Sequence, residues 1–245
     1  MKFVHEDDAF QELIAIVAGE LRLTRGLVEK DYWVTHALWA LQDAGFEVWF
    51  KGGTSLSKGF DLIQRFSEDL DLKVEPGGVG GMPRVSNWKS DGKKATAERR
   101  AYFTRLAELL PVAGATVALD PDAVDPTWRG ANLRVEYPCK HQHELGIMLP
   151  FVRLEVGVAR VTPFLQRDMT SFVHEKLAQL GELGKFRDNR PRGMRCVHPL
   201  VTLLEKLDAI RGRFPKPDRE PAAFVRNRTG MDAVRARRSR DSLGA

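Results

Sequence analysis

Two adjacent glycines, Gly52 and Gly53, stand between an alternating stretch, Phe46-Glu-Val-Trp-Phe-Lys51, and a helical stretch that opens with Thr54-Ser-Leu-Ser-Lys58. Alternation of apolar and polar residues marks a half-buried strand, so the glycines sit where a strand gives way to a helix. Glycine there lets backbone come close to an anion, and a helix start offers it N–H groups and a partial positive charge. A second strand follows, carrying Leu70, Leu72 and Val74 on one face and Asp69, Asp71 and Lys73 on the other. Carboxylates two residues apart on one strand lie roughly 6–7 Å from each other on the same face. Mg²⁺ is usually held by one or two carboxylates together with substrate phosphates. An anion seat and a carboxylate pair joined by one short helix predict nucleotide chemistry. In that reading Gly52, Gly53, Thr54 and Ser55 seat phosphates, Asp69 and Asp71 hold the metal, and Arg65 and Ser67 add contacts to the nucleotide.

The flanking segments predict the frame for this pair. Residues 8–22 carry Phe10, Leu13, Ile14, Val17 and Leu21 on one helical stripe, and a second helix runs from an N-cap at Thr24 to about Asp43. A glycine- and proline-rich loop at 76–83 precedes a basic helix from Trp88 to Leu110. Its Lys93, Lys94, Arg99, Arg100 and Arg105 read first as a solvated face and second as a surface for a phosphate backbone, with Trp88, Tyr102 and Phe103 interleaved. Residues 111–135 are rich in turn formers. Phe151-Val-Arg153-Leu-Glu155-Val-Gly is the next strand, with Arg153 and Glu155 on its polar face. A helix over 168–182 and an Arg- and Pro-rich loop over 185–196 come next. Pro199 then opens an amphipathic helix to about Arg213, with Leu200, Leu203, Leu204, Leu207 and Ile210 expected inward and Lys206 off that stripe.

Composition removes several classes. A chain of 245 residues with 43% hydrophobic and 29% charged residues is an ordinary globular mixture, with no apolar run of the length a membrane span needs. The two cysteines, Cys139 and Cys196, form no paired ligand motif, which argues against a zinc site or a disulfide framework and fits the cytoplasm. Of the net charge of +5, residues 211–245 alone contribute +6, so the basicity belongs to the C-terminal stretch and not to the body. Lys51-Gly-Gly-Thr-Ser-Leu-Ser-Lys58 is no P-loop, because Lys58 is followed by Gly59. His141 and His143 lack a companion ligand.

The chain resembles the AbiEii/AbiGii toxin family of nucleotidyltransferases, within the polymerase-β-like superfamily, over about residues 10 to 225. The resemblance is carried by Gly52-Gly-Thr-Ser55, Asp69-Leu-Asp71, Glu29-Lys-Asp-Tyr-Trp-Val, Arg65-Phe-Ser-Glu-Asp-Leu-Asp and His198-Pro-Leu-Val-Thr-Leu-Leu-Glu-Lys-Leu-Asp-Ala. It implies an α+β fold: a nucleotidyltransferase core with a mixed sheet flanked by helices, together with N-terminal helices (1–165), and a helical C-terminal part (166–225); beyond the likeness, the composition of the Arg-rich tail (226–245) reads as disordered or atypical. It further implies a Mg²⁺-dependent enzyme, with Mn²⁺ as the alternative ion, that transfers NMP from an NTP (GTP among the candidates). The acceptor implied is RNA at the tRNA 3′ end, and the setting a toxin–antitoxin or phage-defence system with an adjacent antitoxin gene. Glu155 stands where the superfamily places a third carboxylate, although Asp is commoner there, so metal ligation, orientation of a hydroxyl and general-base action stay open for it. Lys206 matches a lysine that handles nucleotide. The family continues into a Phe-Val-Arg-His-Tyr-x-Asp-like motif, whereas here Phe224-Val-Arg is followed by Asn227, with Asp232 the nearest carboxylate, so an impaired enzyme is also implied. Transfer to a small molecule or protein, and a non-catalytic nucleotide- or RNA-binding regulator, are the alternatives.

Overall fold

A computed structural model describes residues 1–63 and 69–213. Arg65, Ser67, the Phe224-Val-Arg motif, Asp232 and the 226–245 stretch lie outside the described residues. The chain divides into two compact units, Met1–Thr202 and Leu203–Ala245.

The first unit is built on one mixed seven-stranded sheet in the order β3-β4-β5-β2-β1-β7-β6. The strands are β1 (Glu47–Lys51), β2 (Asp69–Glu75), β3 (Thr116–Val124), β4 (Gly130–Glu136), β5 (Val152–Gly157), β6 (Phe164–Arg167) and β7 (Met194–Val197). β2 pairs parallel with β5 and β1 parallel with β7, while every other neighbouring pair is antiparallel. Strand alternation divides the sheet cleanly. Val48, Phe50, Leu70, Leu72, Leu133, Leu154 and Cys196 are buried in the core, with helices α1 (Phe10–Leu21), α2 (Arg25–Asp43), α4 (Lys93–Leu109) and α5 (Phe172–Gln179) supplying the opposing apolar side chains. Lys51, Asp69, Asp71, Asn132, Arg134, Arg153 and Glu155 occupy the other face by the same alternation.

The turn-rich reading of 111–135 is corrected here. These residues contain most of the β3–β4 hairpin, in which Ala131, Leu133 and Val135 are buried and Asn132 and Arg134 alternate with them. The expected loop at 185–196 likewise ends in β7, which follows β6 in the chain. Both strands join the sheet, β7 pairing directly with β1 and β6 with β7.

α2 organises everything packed against it. Thr24 caps it as expected, its hydroxyl accepting from Leu27 N. Glu29, Lys30 and Asp31 are consecutive and all buried. Successive helical residues point about 100° apart, so the three charges reach three different segments. The Glu29 carboxylate accepts from the backbone N–H groups of Lys140 and His141 at 3.1 and 3.2 Å. Lys30 Nζ donates to Leu149 O at 2.6 Å. Asp31 accepts from Lys58 Nζ at 2.6 Å and from Phe172 N, at the start of α5, at 2.9 Å. A buried charge needs hydrogen-bond partners to persist, and each of these three has them.

Helix α6 (Pro199–Arg213) forms as the pattern indicates. Leu200, Leu203, Leu204, Leu207 and Ile210 are 50–60% exposed. A periodic stripe states that a helix has an apolar face and does not state what covers it.

Candidate active site

Register places four polar side chains in one row across four strands. Lys51 on β1 is opposite Asp71 on β2, Asp71 is opposite Glu155 on β5, and Glu155 is opposite Asn132 on β4. Residues directly opposite on neighbouring strands have Cβ atoms about 4.5–5.5 Å apart, so the row is a continuous polar strip. A second row runs beside it, with Asp69 opposite Arg153 and Arg153 opposite Arg134. A cavity of about 310 Å³ opens on the first row, lined by Lys51, Asp71, Asn132, Glu155 and Gly157.

The glycine turn closes onto this strip. β1 ends at Lys51 and passes into a short helical turn, α3 (Gly52–Thr54), continued by a π-helical turn, Ser55–Gly59. Gly52 has φ +74°, and a Cβ on it would stand 1.8 Å from Asp71 Oδ2. No other residue fits there. Thr54 and Ser55 turn their side chains inward: the Thr54 hydroxyl donates to Asp69 O at 2.7 Å, and Ser55 is buried beside Cys196. Burial pushes the Cys196 thiol up to about 11, against the opposing effect of the Ser55 hydroxyl. Thr54 thus ties the turn to the strand bearing the carboxylates. Lys58 closes the π-turn from behind through Asp31 and through Thr170 O at 2.9 Å.

Electrostatics single out Glu155. Its carboxyl is held above the usual carboxylate range, first by burial and then by the negative charges of Asp69 and Asp71, with Arg153 and Lys51 acting in the opposite direction. Arg153 lies between two acids, its Nη1 3.7 Å from Asp69 Oδ1 and its Nε 3.6 Å from Asp120 Oδ2. Arg134 Nη2 meets the buried Asp120 at 2.5 Å.

Of the residues singled out from sequence, Gly52, Asp69, Asp71 and Glu155 come together. Lys206 is exposed on α6 in the second unit. Sequence reasoning left Lys51, Asn132 and Arg134 without a role. Strand alternation would have found Lys51, two residues from Trp49 on the same face, while Asn132 and Arg134 were hidden by the proline and glycine around them.

Among the described residues no three His, Cys, Asp or Glu side chains converge closely enough to hold a metal by themselves. The donor set nevertheless fits Mg²⁺: hard carboxylate oxygens from Asp69 and Asp71, mutual repulsion that raises Glu155, and an open cavity that leaves coordination positions for a substrate.

A glycine turn pressed onto an aspartate, two carboxylates on one strand and a third on its parallel neighbour thus lie together on the polar face of the sheet. The chain belongs to the AbiEii family, described as nucleotidyl transferase AbiEii toxin of type IV toxin–antitoxin systems, whose match extends over residues 37–228. Among solved structures it is similar to MenT4, a nucleotidyltransferase toxin from Mycobacterium tuberculosis H37Rv, at 20% identity and a TM-score of 0.49, over 81% of this chain. The chain spans 59% of that protein's length. No curated protein sequence matches. No helix among the described residues is long and apolar enough to cross a membrane.

Proposed function

We propose that the protein transfers a nucleoside monophosphate from an NTP to an RNA acceptor, the tRNA 3′ end, in a Mg²⁺-dependent reaction, as the toxin of a toxin–antitoxin pair. The observation that carries this reading is the row Lys51–Asp71–Glu155–Asn132 with Gly52 packed on Asp71. The triphosphate lies along the backbone of the Gly52–Gly53 turn, with Lys51 beside it. Asp69 and Asp71 would hold Mg²⁺, which when bound would supply positive charge beside the triphosphate. Glu155, with its affinity for a proton raised, takes the proton of the attacking hydroxyl. The hydroxyl oxygen bonds to the α-phosphorus, the bond to the β-phosphate oxygen breaks, and pyrophosphate departs. Arg153 keeps Asp69 oriented, and Asn132 borders the acceptor's side of the row. Lys206 is assigned a contact to the nucleotide on the family likeness alone, and Arg65 and Ser67 contacts to the nucleotide from their place in sequence between the glycine turn and the carboxylate strand.

Purified protein incubated with Mg²⁺, total tRNA and each α-labelled NTP in turn tests the reading, with Asp71→Ala as control. Label on tRNA from the wild type only is the expected result and names the nucleotide. Pyrophosphate release that continues without RNA would point to a small-molecule or protein acceptor. Nucleotide binding with no transfer would leave a regulator. Co-expression with the neighbouring gene product tests the antitoxin.

A further inference from the structure

Beside the row that holds Asp71 and Glu155, the second row leads to a buried carboxylate with no part in the mechanism so far. Arg153 stands opposite Asp69, Arg134 opposite Arg153, and the next position, on β3, is Ala118. Alanine is too short to meet a guanidinium group. Asp120, two residues further along β3, meets both arginines instead. Its Oδ1 accepts from Arg134 Nη2 at 2.5 Å, and its Oδ2 is 3.6 Å from Arg153 Nε. The Asp120 side chain is fully buried. Both guanidinium groups lie over the Phe151 ring, with Cζ 4.9 Å from its centre for Arg134 and 5.8 Å for Arg153. Charges thus alternate along the polar face as Asp69, Arg153, Asp120 and Arg134, and the second acid is the one withdrawn from water.

Arg153 is held in balance between the two acids. Its Nη1 is 3.7 Å from Asp69 Oδ1 and its Nε 3.6 Å from Asp120 Oδ2. Both separations exceed the roughly 2.7–2.9 Å of a charge-assisted hydrogen bond, so attraction from two sides stops the guanidinium short of either. A buried carboxylate has no water to fall back on and needs its cations near. Asp69, with its side chain 40% exposed, keeps water as an alternative partner. The consequence falls on Asp69. An arginine that settles bidentately on a carboxylate takes up the oxygens that a hard cation would use. One stopped at 3.7 Å orients the group and leaves an oxygen for the metal.

We infer that Asp120 is a positioning residue for the reaction: it holds Arg153 back from Asp69 and so keeps the Asp69 carboxylate available to Mg²⁺. The inference rests on the metal-dependent nucleotidyl-transfer reading above and adds to it a residue that acts only through Arg153. Arg134 sets the strength of the hold, since it shares Asp120 with Arg153.

Mn²⁺ titrated into the full chain and followed by electron paramagnetic resonance reads the metal site without turnover, with Asp69→Ala as control. Wild type should bind Mn²⁺ and Asp69→Ala should bind it more weakly. Asp120→Asn keeps the shape of the side chain and removes its charge, so Arg153 settles on Asp69 and Mn²⁺ affinity should fall roughly tenfold or more. Asp120→Asn/Arg153→Met should recover part of that loss, which a role in folding alone would not produce. Arg134→Met should act in the other direction: Asp120 then has Arg153 to itself, and Mn²⁺ affinity should be held or raised. That variant decides the matter if near-ultraviolet circular dichroism shows Asp120→Asn unfolded. Unchanged affinity in Asp120→Asn, a double variant no tighter than the single one, or a tenfold loss in Arg134→Met would each overturn the holding role. Absence of Mn²⁺ binding by wild type, or binding that Asp69→Ala leaves untouched, would sink the metal assignment and this role with it. The tRNA-labelling assay then shows separately whether nucleotidyl transfer stands.

Discussion

Gly52 carries the tightest constraint of any single position. Its left-handed φ and the 1.8 Å separation between a Cβ and Asp71 Oδ2 leave no room for alanine unless the carboxylate moves. Gly52→Ala should therefore displace Asp71 and lower transfer by about 10²–10³-fold, while near-ultraviolet circular dichroism stays native; unchanged Mg²⁺ binding and rate would refute the packing argument. At Glu155 the prediction concerns pH. Burial and two neighbouring carboxylates raise its pKa, so the basic form is gained only at a pH above the ordinary glutamate range near 4.3. The acidic limb of the rate profile should sit above that value in the wild type and vanish in Glu155→Gln, together with most of the rate. A limb at the same pH in the variant would assign it to another group.

At the scale of elements, the turn that carries the glycines is held from behind by charges it does not share with substrate. Lys58 and Asp31 are 12% and 4% exposed, and their bond links the π-turn to α2 and to the start of α5. Breaking a buried pair by removing one partner costs about 3–5 kcal/mol. Asp31→Ala should show a loss of that size in urea unfolding, and Asp31→Ala/Lys58→Met should recover part of it. A second buried group behaves differently with pH. Asn189 donates to Tyr32 Oη and His36 Nδ1 and accepts from His174 Nε2, in a cluster sealed between α2 and α5. Burial pushes His36 down to about 3 and His174 down to about 4. Both rings stay neutral when folded and take up protons near pH 6.5 when unfolded. Their contribution is thus complete above that pH and is lost as pH falls toward 4, by up to about 1.4 kcal/mol per pH unit for each ring. The unfolding midpoint measured from pH 7 to 4 should fall accordingly, and His174→Gln should flatten the slope by about one proton.

For the whole molecule, the legible parts were those whose pattern is local. α1, α2, β1, β2, β5 and the Gly52–Asp71 neighbourhood could be read because alternation, capping and turn residues all agree within short windows. β3, β4 and β7 could not: prolines and glycines interrupt the pattern in and around the β3–β4 hairpin, and β7 is four residues long, lies among arginines and pairs with the distant β1. The roles of Lys51 and Asn132 depend on register across four strands, which no single segment encodes. That the side chains of Thr54 and Ser55 are buried in the fold is likewise not written in the local pattern. α6 shows the opposite limit, an apolar stripe plain in sequence whose covering partner is not.

Glu29, Lys30 and Asp31 are consecutive, yet each fastens α2 to a different segment and none lies in the row that holds Asp71 and Glu155. One turn of helix thus works as a rivet through three separate stretches of chain, and the presence of these three residues speaks for the scaffold and not for its chemistry.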